Sequence, residues 1–171
     1  AGASSAANLV ELRDLTKVYP IRGKEDFYAA KGVSLDIPRG STVAIVGESG
    51  SGKTTTARML LGLIQPTSGT MTFDGKDLTK LSKADAKDFR RRVQPVFQNP
   101  YASLDPRYTV EQSIAEPLRV HRIGTAATRH ARVLELLEQG ALPAAMAERL
   151  PHELSGGQRQ RVAIARALAL E

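Results

Sequence analysis

Residues Gly47 to Thr54 read Gly-Glu-Ser-Gly-Ser-Gly-Lys-Thr, filling every fixed position of the phosphate-binding pattern G-x-x-x-x-G-K-[ST]. The flanks of this loop constrain the fold. Before it, Thr42-Val43-Ala44-Ile45-Val46 is a short continuous apolar run, the pattern of a strand buried on both faces. After it, a helix is expected from Lys53 to about Leu63, because Arg58-Met59-Leu60-Leu61 is good helix-forming sequence. Strand, glycine loop and helix in that order are the start of an α/β nucleotide-binding core. The glycines let successive N–H groups point inward, forming a nest for phosphate oxygens at the positive end of the helix. Gly47, Glu48, Ser49, Gly50, Ser51, Gly52, Lys53, Thr54 and Thr55 are therefore the candidate phosphate site. Lys53 would reach the β- and γ-phosphates, and the Thr54 hydroxyl would ligate Mg²⁺.

Before the loop, Leu9, Val10, Leu12, Leu15 and Val18 are apolar at roughly alternating spacing, and Gly32 to Ile37 alternates more cleanly. Two strands are expected there. Thr70 to Phe73 reads as a strand entering the tight turn Asp74-Gly75. A charged helix is expected from Ser82 to about Arg91, then a strand over Val93 to Phe97 and a loop over Gln98 to Arg107. Beyond that the pattern turns helical. Val110 to Val120 is one segment, and Thr125 is placed to cap a second that ends at Gly140. Ala144 to Leu150 is a short helix stopped by Pro151, and Ser155 caps the last. The expected organisation is a tail over residues 1–8, a nucleotide-binding part over 9–97 and a mainly helical part over 98–171.

A second Gly-rich turn opens that last helix, Leu154-Ser155-Gly156-Gly157-Gln158-Arg159-Gln160, about a hundred positions after the first. It too offers backbone N–H groups at a helix N-terminus. The two motifs together resemble the ATP-binding subunit of ABC transporters. The resemblance covers nearly the whole chain from Leu9. Val96 to Arg107 and Leu150 to Leu154 look like the ATPases of oligopeptide and dipeptide importers, a group that also serves nickel and glutathione uptake. It implies a P-loop NTPase core with an N-terminal antiparallel β part and an inserted helical subdomain, using ATP and Mg²⁺. It further implies that Ser155, Gly156, Gly157 and Gln158 close over an ATP held by a second ATPase subunit. Gln98 becomes the glutamine that notices the γ-phosphate or a metal-bound water and links the site to transmembrane permease subunits. Tyr19 occupies the place of the aromatic that stacks on adenine, with Tyr28 as its rival and a merely packed tyrosine as the plain alternative. Family members continue into an apolar strand ending in Asp-Glu and then a switch histidine, and this sequence contains neither. The resemblance therefore implies a core whose C-terminal part is missing, and a chain deficient in hydrolysis.

Composition narrows the partners. No apolar run approaches the ~20 residues that span a bilayer, so membrane transport would fall to other polypeptides, with this chain peripheral on the inner face of the cell membrane. Ala1 to Ala7 has neither the basic start nor the apolar segment of a secretory signal. Without cysteines the chain holds no disulfide or cysteine–zinc site. The net charge of +6 is a weak pull toward polyanions, and no direct nucleic-acid partner is expected. The competing function is an ABC-type ATPase of DNA repair or translation. His121, His130 and His152 share no ligand spacing. Arg90-Arg91-Arg92 reads as a solvated helix end.

Overall fold

A hairpin of two long strands, β1 (Asn8–Tyr19) and β2 (Phe27–Pro38), organises the N-terminal half of the computed structural model, which describes residues 8–171. The tail expected over residues 1–8 lies outside the described residues, apart from Asn8, which opens β1. β3 (Ser68–Phe73) adds antiparallel to the free edge of β1, and the two-residue β4 (Lys76–Asp77) follows through a tight turn. The sheet order is β2-β1-β3-β4.

The loose alternation of β1 has a structural cause. Val10 and Leu12 point into the core, then the register shifts and Leu15, not Asp14, is the next buried side chain. Asp14 sits at φ 48°, the extra residue of a bulge. Gly69 of β3 packs against it, at φ 90°, where a Cβ would fall 2.5 Å from the Asp14 carbonyl oxygen. Only glycine fits there. Met71 and Phe73 complete the buried face, and Phe73 meets Phe89 of the helix α2 (Lys83–Arg92) edge to face, with centroids 5.2 Å apart.

The helix after the phosphate loop, α1 (Lys53–Leu60), is shorter than its sequence suggests. Gly62 adopts φ 73°, and Leu63 N–H donates to the Arg58 carbonyl at 2.9 Å, a closing turn that ends the helix. A larger departure is at Thr42 to Val46, which forms no strand. Val93 to Phe97 forms none either. A strand exists only through hydrogen bonds to neighbouring strands, and among the described residues neither run is paired. Their apolar side chains are left open: Val46 is 87% exposed, and Ile45, Val96 and Phe97 are exposed as well.

The chain divides into two compact units, one ending at Phe89 and the other running Arg90–Glu171. The division falls inside α2, ahead of the boundary expected at 97/98. In the second unit, α3 (Pro100–Ser103) leads into α4 (Val110–Val120), α5 (Ala126–Gln139) and α6 (Gly156–Leu168), with 3₁₀ turns at Ala144–Glu148 and Pro151–Glu153. Their apolar faces share one core in which Ile114, Val133, Leu136, Leu137 and Val162 are almost wholly buried. Each such side chain contributes roughly 1.5–3 kcal/mol. All three long helices start with a reciprocal cap: Thr109 with Gln112, Thr125 with Thr128, Ser155 with Gln158.

Candidate nucleotide-binding site

The loop between Gly47 and Lys53 turns because its glycines take conformations that other residues avoid. Gly50 has φ 82° and Gly52 φ 91°. Gly52 also brings the loop hard against β2: a Cβ there would lie 2.8 Å from the Ala29 carbonyl oxygen. α1 starts directly after it, with no side chain capping its N-terminus and no acidic residue in its first turn. Its first-turn N–H groups and the positive end of its dipole are thus available to an anion.

Lys53 folds back over the loop. Its Nζ donates to the carbonyl oxygens of Gly47 at 2.5 Å and Glu48 at 2.7 Å, and to Ser51 Oγ at 3.3 Å. The ammonium therefore sits at the mouth of the turn, held by the loop it serves. One turn on, Thr56 Oγ1 donates to the Gly52 carbonyl at 2.8 Å and is buried, whereas Thr54 is exposed. Of these hydroxyls it is Thr54 that faces a cleft of about 410 Å³, lined by Ser49, Gly50, Gly52, Lys53, Thr55, Phe27 and Ala29. Among the described residues the lining contains a cation, hydroxyls and loop backbone but no carboxylate. This suits a polyphosphate, and one hydroxyl at the helix start suits a cation completed by phosphate and water oxygens. Among the described residues no three His, Cys, Asp or Glu side chains gather as a metal site.

The aromatic residues sort by strand register. Tyr19 stands opposite Phe27 across the hairpin, and Val18 opposite Tyr28. Directly opposed residues share a face and adjacent ones alternate. Tyr19 and Phe27 therefore rise on one face and Tyr28 on the other; Lys17 lies over the Tyr19 ring at 5.1 Å and Lys31 over the Tyr28 ring at 4.8 Å. Phe27 is the residue that sequence reasoning missed. No local signal marks it, because its place depends on the hairpin register that sets it opposite Tyr19.

The remaining candidates belong to the second unit. Gln98 is exposed in a bend after the irregular 93–97 run. Ser155 and Gln158 are occupied with each other: Gln158 N–H donates to Ser155 Oγ at 3.2 Å, and Ser155 N–H to Gln158 Oε1 at 2.9 Å. Gly157 differs from Gly52. A Cβ there would meet nothing within 4 Å, and its φ is not positive, so the fold of this chain does not itself require glycine. α6 is anchored by Arg159, whose Nε donates to the Pro151 carbonyl at 2.7 Å, and by Arg166, whose Nη1 donates to the Ser103 carbonyl at 2.8 Å. The second contact ties the helix to the segment just after Gln98. His130 pairs with Glu111 across α5 and α4 at 2.6 Å.

Compared with known proteins, the family pattern described as ABC transporter matches residues 30–171. The chain belongs to the ABC transporter family. A Brucella ovis protein named for the ATP-binding role in peptide import is 48% identical over 163 residues, 95% of this chain and 51% of its own length. The oligopeptide transport ATP-binding protein AppF of Bacillus subtilis is 44% identical over 98% of this chain and 53% of its own. The chain thus spans about half the length of these curated relatives. Among solved structures, the dimeric bacterial ABC transporter cassette MJ0796 superposes with a TM-score of 0.81 at 38% identity, over 94% of this chain and 69% of that one. Its post-hydrolysis dimer, bound to ADP and Pi, gives 0.79. The fold class is therefore that of the ABC ATPase cassette, with an antiparallel N-terminal sheet and a helical part, and the chain is of the ATP-binding type.

Proposed function

We propose that this ABC cassette chain binds Mg-ATP through Gly47 to Thr55 and serves in the energy-coupling subunit of an importer for peptides or similar small solutes. The observation that carries this reading is the cleft beside α1, where Lys53, Thr54, Thr55 and loop backbone converge on one anion-sized space. Tyr19 supplies the base contact. Lys53 holds the β- and γ-phosphates and Thr54 the magnesium ion, and Gln98 is assigned the part of γ-phosphate sensor. Ser155, Gly156, Gly157 and Gln158 serve the ATP of a second ATPase subunit. The open space at Gly157 supports this role, since a glycine unneeded for internal packing suits close approach from outside. Separate membrane subunits engage the Gln98 region, which places the assembly at the inner face of the membrane; among the described residues no helix is long and apolar enough to cross one. Relatives named for peptide and glutathione import favour transport over nucleic-acid handling.

Hydrolysis by this chain alone should be slow, because among the described residues no carboxylate lines the cleft and a positioned general base is worth about 10²–10⁴-fold. Titration with a fluorescent ATP analogue and phosphate release over a protein concentration series test the reading. Lys53→Ala should weaken ATP by about 1.5–3 kcal/mol, the range for a charge-assisted contact, and AMP far less. ATP affinity unchanged in Lys53→Ala would refute the phosphate-loop assignment. Brisk turnover, first order in this chain, would refute the need for a carboxylate in the cleft.

A further inference from the structure

We propose that Phe27 is a second nucleotide-base contact, forming with Tyr19 a two-ring platform at the edge of the phosphate cleft. The inference rests on the phosphate-loop reading above and extends it to the base. Phe27 opens the edge strand β2 and is 56% exposed, large for a phenylalanine with no packing role to explain it. It lines the same cleft as Ser49, Lys53 and Thr54. Its position is fixed from two sides. The Gly52–Ala29 approach clamps the loop to β2 two residues away, and the hairpin register sets Tyr19 directly opposite.

Phe27 and Ala29 both line the cleft, and Tyr19, directly opposite Phe27, rises on the same face as that ring. A triphosphate held at the start of α1 would direct its base along this face. A π-surface binds any purine or pyrimidine face, so the platform would tolerate ATP and GTP alike. Tyr28, next to Phe27 on the strand, lies on the opposite face and takes no part; a lysine stands over one face of each tyrosine, Lys17 over Tyr19 and Lys31 over Tyr28.

The chain contains no tryptophan, so Phe27→Trp and Tyr28→Trp each carry a single indole reporter. In the 171-residue protein, ATP should quench the indole of Phe27→Trp, inorganic tripolyphosphate should not, and Tyr28→Trp should respond to neither. Phe27→Ala should weaken ATP about five- to tenfold, leave tripolyphosphate binding unchanged and be largely rescued by Phe27→Tyr. Circular dichroism of each variant confirms its fold. Equal quenching by ATP and tripolyphosphate, or unchanged ATP affinity in a folded Phe27→Ala, overturns the platform while leaving the phosphate loop intact. If the parent binds neither ATP nor tripolyphosphate, the phosphate-loop reading falls and the platform with it.

Discussion

The helical unit closes its core from one continuous stretch of chain, whereas the unit that holds the phosphate loop leaves apolar sequence open to water. From Leu104 to Leu170 a single cluster gathers the inner faces of α4, α5 and α6. In the first unit the antiparallel sheet buries Leu12, Leu15 and Met71, yet Val43, Ile45 and Val46 just before the loop remain exposed. The reason lies in where each element finds its hydrogen bonds. A helix satisfies its own backbone, and short connections bring the next helix alongside. The strand expected at 42–46 needs partner strands on both edges, and runs buried on both faces belong to sheets covered by other layers. The phosphate loop is held against β2, where Gly52 meets Ala29.

The comparison breaks most readily at the cores. Ile114→Ala should cost about 2–5 kcal/mol of unfolding free energy in the helical unit, measured by urea denaturation followed at α-helical circular dichroism. Val46→Ser should stay within about 0.5 kcal/mol of the parent. A loss at Val46 as large as that at Ile114 would mean that the 42–46 run is packed in solution.

A smaller effect separates the two glycines. Gly52→Ala forces a Cβ toward the Ala29 carbonyl at a positive φ and should cost on the order of 1–3 kcal/mol, seen as a lower Tm and weaker ATP binding. Gly157→Ala has open space and should leave Tm unchanged within a degree or so. If Gly157→Ala unfolds α6, its glycine is structural after all.

The smallest effect is electrostatic. Arg107 donates to Asp105 from its guanidinium and its backbone N–H, which lowers the carboxyl to about 2. With a folded value below the unfolded ~3.9, the pair contributes above the unfolded pKa. That contribution is lost as pH falls from about 4 through about 2. A ¹H–¹⁵N titration of the Arg107 Nε–H should show a transition in that window, absent in Asp105→Asn. A parent midpoint near 4 would show that the contact does not form. Lys76 and Ser82 lower Asp85 in the first unit in the same way, so local charge pairing does not distinguish the two halves.

What the sequence made legible follows the same division. Caps located α5 and α6 to within a residue or two, because Thr125, Ser155 and Gly140 act on neighbours three or four positions away, whereas the Thr109 cap of α4 emerged only in the structure. The turn of the Gly47–Lys53 loop was equally readable, since backbone geometry within eight residues calls for its glycines at positive φ. Long-range pairing was not. The bulge at Asp14 depends on Gly69, more than fifty positions later, and alternation alone could not place it. The runs 42–46 and 93–97 carry sound strand sequence that pairing does not complete. Phe27 escaped notice because its meaning depends on the register that sets it opposite Tyr19, which local spacing leaves undetermined.

Hydrogen exchange of the 171-residue chain, with and without Mg-ATP, tests most directly whether the triphosphate is held by loop backbone while the helical unit stands on its own packing. Amides from Gly50 to Thr55 should gain protection when ATP is added. Those of α5 should exchange slowly in both conditions, and those from Thr42 to Val46 rapidly without nucleotide. An absence of ATP-dependent protection at Gly50 to Thr55, or nucleotide-free exchange at Thr42 to Val46 as slow as in α5, would contradict the account.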